Sequence, residues 1–150
     1  MKNLTDVEDV YKRQPSDRDK GSYIKENFEP LVKEGVLNLV EGEIDFDDNI
    51  SFRMINGHTF AQQMIKISDS SNTILYCADL MPFVSQIRIP YVMGYDLQPM
   101  ITVQEKKKYL QLAADENWHL YFGHDPELAL ATVKHSEKGI IQDKVFKDFW

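Results

Sequence analysis

The chain has 150 residues, with 17 Lys and Arg against 24 Asp and Glu for a formal charge of −7, and 43 % of its residues are hydrophobic. At this length a chain can hide roughly 70 % of its unfolded surface, so one folded domain is expected rather than global disorder. The acidic balance argues against a nucleic-acid partner or an anionic membrane held through phosphate neutralisation. No run reaches the ~18 apolar residues of a membrane span, and a lone cysteine, Cys77, cannot form an internal disulfide.

Residues 1–14 are polar, aperiodic and without the apolar stretch of a signal peptide, so a disordered tail and a cytoplasmic setting are expected. The string Asp-Val-Tyr-Lys-Arg-Gln at its end looks like translated linker sequence, which makes the tail an artefact in this reading. From Ser22 the apolar residues Tyr23, Ile24, Phe28, Leu31 and Val32 recur at helical spacing, and Gly35 stands where a helix would stop. Strands are expected over Val36–Val40 and Ile50–Ile55, the second opened by the turn residues Asp47, Asp48 and Asn49. Gln63–Ile67 and Thr73–Ala78 flank the turn-rich Ser68–Asn72 and are expected to pair as a hairpin.

Residues 80–101 contain Pro82, Pro90 and Pro99 with Gly94 and no period, the pattern of a long ordered loop, and loops of that length are usually functional. Thr102 and Glu105 have capping-box spacing, predicting a helix from Thr102 to about Asn117 with Lys106, Lys107 and Lys108 on a solvated face. Trp118–Phe122 alternates as a strand. Leu128–Val145, with Lys138 and Gly139 at its turn, reads as a closing hairpin or as a short helix and strand.

Two histidines fall where a strand runs into a loop, in Asn56-Gly57-His58-Thr59 and in Phe122-Gly123-His124-Asp125. Between them Asp79 ends the apolar run Tyr76-Cys77-Ala78, where a carboxylate needs a cation, a donor cluster or a metal. Two imidazoles and a carboxylate at successive strand ends suit zinc, although they lie too far apart in sequence for a compact local zinc motif. Taken singly, each also reads as an ordinary turn or cap residue. His119 reads as a half-exposed strand residue, His135 as surface, and Cys77 as a core thiol.

These segments resemble the metallo-β-lactamase-fold hydrolases. Asn56-Gly57-His58-Thr59-Phe60-Ala61-Gln62-Gln63 is similar to their Gly-His-Thr segment, Tyr76–Leu80 to the strand that ends in their metal-bridging Asp, and Phe122–Pro126 to their final Gly-His segment. Order and spacing agree, the likeness runs from about Pro15 to the C-terminus, and it is nearest the lactonase-like, quorum-quenching type. The resemblance implies an α/β (α+β) fold, the C-terminal half of a four-layer αββα sandwich over residues 15–150. It implies that His58 ligates a first zinc, that Asp79 is the catalytic bridge between two zincs, and that His124 ligates the second. The implied reaction is hydrolysis of a lactone or ester-like small molecule by metal-activated water, with Tyr95 and Asp96 of the long loop as candidates for the substrate pocket.

Ala61 and Gln62 depart from the family pattern at positions that are not ligands. A larger departure lies upstream: the family's His-x-His-x-Asp-His motif has no counterpart, and residues 1–57 contain no histidine. The resemblance therefore implies part of a longer enzyme with an incomplete ligand set, inactive alone. It also implies a sheet whose inner face lacks its cover, to be met by a missing N-terminal half or by a second copy in a homo-oligomer. The competing reading is a non-catalytic α/β interaction module in which His58 and His124 are structural.

Overall fold

The computed structural model describes residues 17–18, 20–22, 24–37, 40 and 42–148. The expected tail at residues 1–14 lies outside the described residues. Two compact units divide the chain, Met1–Val40 and Glu41–Trp150.

The first unit holds a 3-10 turn, Lys20–Ser22, and helix α1, Lys25–Lys33. Gly35 stops α1 as its position implied. At φ +67° it takes the left-handed conformation that glycine adopts without cost. Its N–H then donates to Val32 O at 3.1 Å and the Val36 N–H to Leu31 O at 3.2 Å, the paired bonds of a Schellman cap. Val36 and Leu37, expected to open a strand, lie in none, and positions 38 and 39 fall outside the described residues.

The second unit is a seven-stranded sheet whose spatial order follows the chain: β1 (Ile44–Asp45), β2 (Ile50–Ile55), β3 (Gln62–Ser68), β4 (Thr73–Tyr76), β5 (His119–Tyr121), β6 (Leu130–Ser136) and β7 (Gly139–Phe146). Aspartates close two of its turns. The Asp47 carboxylate accepts from the N–H groups of Asn49 and Ile50 before β2, and that of Asp69 from Ser71 and Asn72 between β3 and β4. The expected β3–β4 hairpin forms, and the C-terminal segment takes the hairpin of its two alternatives, with Ser136 opposite Gly139.

Every neighbouring pair is antiparallel except β4 and β5, which run parallel. A parallel pair needs a crossover, supplied here by residues 77–118, which contain two 3-10 turns (Ala78–Leu80 and Val84–Ile87) and helix α2, Pro99–Asp115. The helix thus starts three residues before the expected Thr102, because proline is well suited to the first helical position. Thr102, Lys106, Tyr109, Leu110 and Ala113 recur on one face of α2 and are buried, against a core that includes Met64, Leu75, Leu120, Ala131 and Val133. Lys107 and Lys108 are exposed as expected, but Lys106 is fully buried. The correction has a chemical reason: its ammonium donates to three backbone carbonyls, of Arg88 (2.7 Å), Ile89 (3.2 Å) and Tyr91 (2.7 Å).

The opposite sheet face carries a cross-strand row, Phe52, Ile65, Tyr76 and Tyr121, beside a second, Ile50, Ile67, Ile74 and His119. These residues are only partly covered, and Ile67 is 47 % exposed. Among the described residues no helix is long and apolar enough to cross a membrane.

The loop after β5 is pinned by Asp125, whose carboxylate accepts from the N–H groups of Val84 (3.0 Å), Glu127 (3.1 Å) and Leu128 (3.0 Å). Partial burial pulls this carboxyl up, but the three donors outweigh it and its pKa is lowered from 3.8. A depressed folded-state pKa stabilises the fold above the unfolded value, and that stability is lost as pH falls through the folded one. Asp125→Ala is expected to cost about 1–3 kcal/mol, with its difference from wild type shrinking in denaturant titrations as pH drops below 3.8. Leu120→Ala, at a fully buried central-strand position, is expected to cost about 2–5 kcal/mol. Ile141→Ala on exposed β7 should stay within about 0.5 kcal/mol by the same urea measurement.

Candidate metal centre

His58 follows β2 by one turn, and helix α2 holds that turn in place. Gly57 lies so close to the helix that a Cβ there would run into the backbone and hydroxyl of Thr102, so only glycine fits. Glu105 accepts from the N–H groups of Asn56 (2.7 Å) and Gly57 (3.0 Å), one on each carboxylate oxygen. Burial raises the pKa of Glu105, with these two bonds opposing the rise. From the long loop the Leu97 and Gln98 N–H groups donate to the carbonyls of His58 (3.0 Å) and Gly57 (2.8 Å).

The ring of His58 is fixed as well. Its Nδ1 lies 2.8 Å from Asp96 Oδ1, and Asp96, only 3 % exposed, also accepts from the Thr102 hydroxyl at 3.0 Å. A carboxylate accepts only, so Nδ1 carries a proton, and in the neutral ring Nε2 is the nitrogen left with a lone pair. Thr102 and Glu105, which the sequence suggests as a capping box, therefore do different work: they hold Asp96 and the His58 turn.

Asp79 sits in the 3-10 turn after β4 and offers its two oxygens in different directions. Oδ1 is 3.1 Å from His124 Nε2, while Oδ2 is 3.8 Å from His58 Nε2 and accepts from the Gln62 amide at 2.5 Å. The His124 loop is tied to the long loop, since the His124 N–H donates to Pro82 O at 3.3 Å and Asp125 holds Val84. His58, Asp79 and His124 thus share one pocket of about 80 Å³, whose wall is completed by Pro82, Phe83, Met93 and Tyr95. The Tyr95 ring stands edge-on to that of His58 at 5.8 Å and is 59 % exposed.

Tyr95, a candidate for the substrate pocket in the sequence, lies on the wall of this pocket. Asp96, expected beside it to meet substrate, is buried and turned toward His58 and Thr102, so it is a partner of the histidine and not a substrate contact. Gln62, set aside in the sequence as a non-ligand, contacts Asp79 directly, and its Oε1 is buried with no hydrogen-bond partner among the described residues. Its place beside His58 in the matching segment was the available signal. His119 and His135 stay outside the pocket, His119 against the Phe146 ring and His135 paired with Asp115 at 2.6 Å. Cys77 is fully buried, and burial pushes its thiol far above the usual range.

The donor chemistry suits zinc. Two ligand atoms that share a zinc at 2.0–2.2 Å stand about 3.4 Å apart in tetrahedral geometry, close to the 3.8 Å between His58 Nε2 and Asp79 Oδ2. The carboxylate behind Nδ1 is the outer partner that metal-bound imidazoles usually have. The set is nevertheless partial: among the described residues no group of three or more His, Cys, Asp or Glu side chains is arranged to hold an ion by itself.

No protein-family model matches the chain, and no curated protein matches it. Solved structures do. A probable metal-dependent hydrolase from Staphylococcus aureus superposes with a TM-score of 0.67 at 22 % identity, over 78 % of this chain and 42 % of its own. AidC, a dizinc quorum-quenching lactonase in complex with a product, gives 0.65 at 20 % identity over 91 % of this chain and 50 % of its own. The hydrolase AbOPH of the β-lactamase superfamily gives 0.61 at 17 % identity over 89 % and 49 %. The chain spans at most half the length of these three structures, and within that span it has the mixed α/β metallo-β-lactamase fold.

Proposed function

We propose that this chain forms part of a metal-dependent hydrolase that acts on a lactone or another ester-like small molecule, with His58, Asp79 and His124 as part of a dizinc ligand set. One observation carries the reading: a single carboxylate, Asp79, turns Oδ1 to one imidazole and Oδ2 toward another, the arrangement a bridge between two ions requires. When bound, zinc would acidify a water and polarise the substrate carbonyl. The protein's own part is positional. Asp96 keeps the His58 lone pair turned toward the pocket, Gln62 steadies Asp79, and Pro82, Phe83, Met93 and Tyr95 offer an apolar wall for the organic part of the substrate. His124, more than half exposed, lies on the side open to solvent.

Three ligand residues do not fill two zinc spheres, since a catalytic zinc normally takes three protein ligands of its own. Turnover is therefore assigned to a longer protein that supplies the rest, and the 150-residue chain alone is expected to bind zinc without efficient hydrolysis.

A second reading, an interaction module, is favoured by the apolar sheet face, where Ile65, Ile67, Ile74, Tyr76 and Tyr121 line a trough of about 420 Å³. A second copy or a further stretch of the parent protein would cover it. Zinc separates the two readings. Competition with a chelating dye should show zinc binding to the wild-type chain, weakened at least tenfold in His58→Ala and Asp79→Asn. Affinity unchanged in both variants would leave the interaction module.

Asp96 provides a sharper test, because an asparagine there can donate to Nδ1 and push the proton onto Nε2. Asp96→Asn and Asp96→Ala should each weaken zinc binding by about 10- to 100-fold. Nitrogen chemical shifts should show the His58 proton moved from Nδ1 to Nε2 in Asp96→Asn.

A further inference from the structure

Lys106 is buried in α2, and the carbonyls that accept from it belong to residues outside the pocket lining. Its ammonium reaches across to residues 88–91, where the chain makes a turn closed by the Tyr91 N–H donating to Arg88 O at 3.0 Å. Proline at position 90 brings no N–H of its own, and the carbonyls of Arg88, Ile89 and Tyr91 all accept from the ammonium. Five residues later the same segment delivers Asp96, whose N–H donates to Met93 O at 3.1 Å. Leu97 and Gln98 then pair with the His58 turn.

We infer that Lys106 is a positioning residue that holds Asp96 against His58. The link is mechanical: three bonds to one cation fix where the segment leaves residue 91, and little chain remains before Asp96 in which to absorb an error. An exposed lysine in the same run has no such reach: Lys108 pairs at the surface with Glu43.

The inference deepens the metal-centre reading and rests on it only where zinc is measured. The test uses the full chain and three variants: Lys106→Met, which keeps the volume and removes the donors; Lys106→Gln, which keeps two donors without charge; and Ala113→Gly, a loss of packing elsewhere on the same buried helix face. In metal-free protein Lys106→Met should erase the nitrogen signature of the His58 Nδ1 proton and speed exchange of the Leu97 and Gln98 amides at least tenfold. Lys106→Gln should fall between it and wild type, and Ala113→Gly should change neither readout. Zinc affinity should drop about tenfold or more in Lys106→Met, as for other losses of an outer partner. Should Lys106→Met fail to fold, Lys106→Gln decides by the same measurements. A His58 signature and amide protection that match wild type in the foldable Lys106 variants overturn the inference, as does an equal loss in Ala113→Gly. Loss of the His58 signature in a protein that never binds zinc upholds the positioning role and removes the metal reading instead.

Discussion

A parallel strand pair cannot be joined by a tight turn, and this chain contains one such pair, β4 with β5, in a sheet otherwise built from antiparallel neighbours. The connection must leave one end of the sheet, return along its face and re-enter at the other end. Residues 77–118 make that journey and carry Asp79, Pro82, Phe83, Met93, Tyr95, Asp96 and the whole of α2. His58 arises at the end of β2 and His124 after β5, so the ends of three strands open toward the crossover. Strand ends grouped beside one long connection are where α/β sheets commonly build sites. The clustering of site residues thus follows from one topological constraint.

A crossover of this length needs anchoring, and the first turns of α2 supply it. Thr102, Glu105 and Lys106 lie next to one another on the helix and bind three different segments: Thr102 the Asp96 carboxylate, Glu105 the Asn56–Gly57 backbone, and Lys106 the carbonyls at 88–91. Two of these side chains are fully buried. Polar groups so placed are costly unless satisfied, and each of them is satisfied by a loop that would otherwise be free to move. The same bonds therefore stabilise the domain and give the pocket its shape.

Local chemistry was legible in the sequence wherever the cause was itself local. Asp47 and Asp69 close turns through their own neighbours, Gly35 ends its helix by its own backbone angle, and the alternation of Trp118, Leu120 and Phe122 marks a buried strand face. Misreadings came where a residue's partner lies far along the chain. Thr102 and Glu105 match a capping box in spacing, but their partners are Asp96, Asn56 and Gly57. Lys106 is indistinguishable from Lys107 in a run of three lysines, and only the position of residues 88–91 decides that one of them is buried. Asp96 beside Tyr95 looks like a second pocket residue, yet adjacent side chains in an irregular segment have no reason to share a direction.

Fold likeness and site chemistry support the functional reading to different depths. At 17–22 % identity the solved structures establish how the backbone runs, and hydrolases with that backbone act on many substrates. The proposed metal centre rests on the two-way geometry of Asp79, to which His58 adds a fixed ring. An imidazole placed only to pack, or to cap a turn, has no need of a buried carboxylate on one nitrogen and an open acceptor position on the other. Here Asp96 holds a proton on Nδ1, and Nε2 faces a carboxylate oxygen at 3.8 Å, too far for a hydrogen bond between them. A cation placed between Nε2 and Asp79 Oδ2 would satisfy both atoms at once, which is what the proposed metal centre asks of this gap.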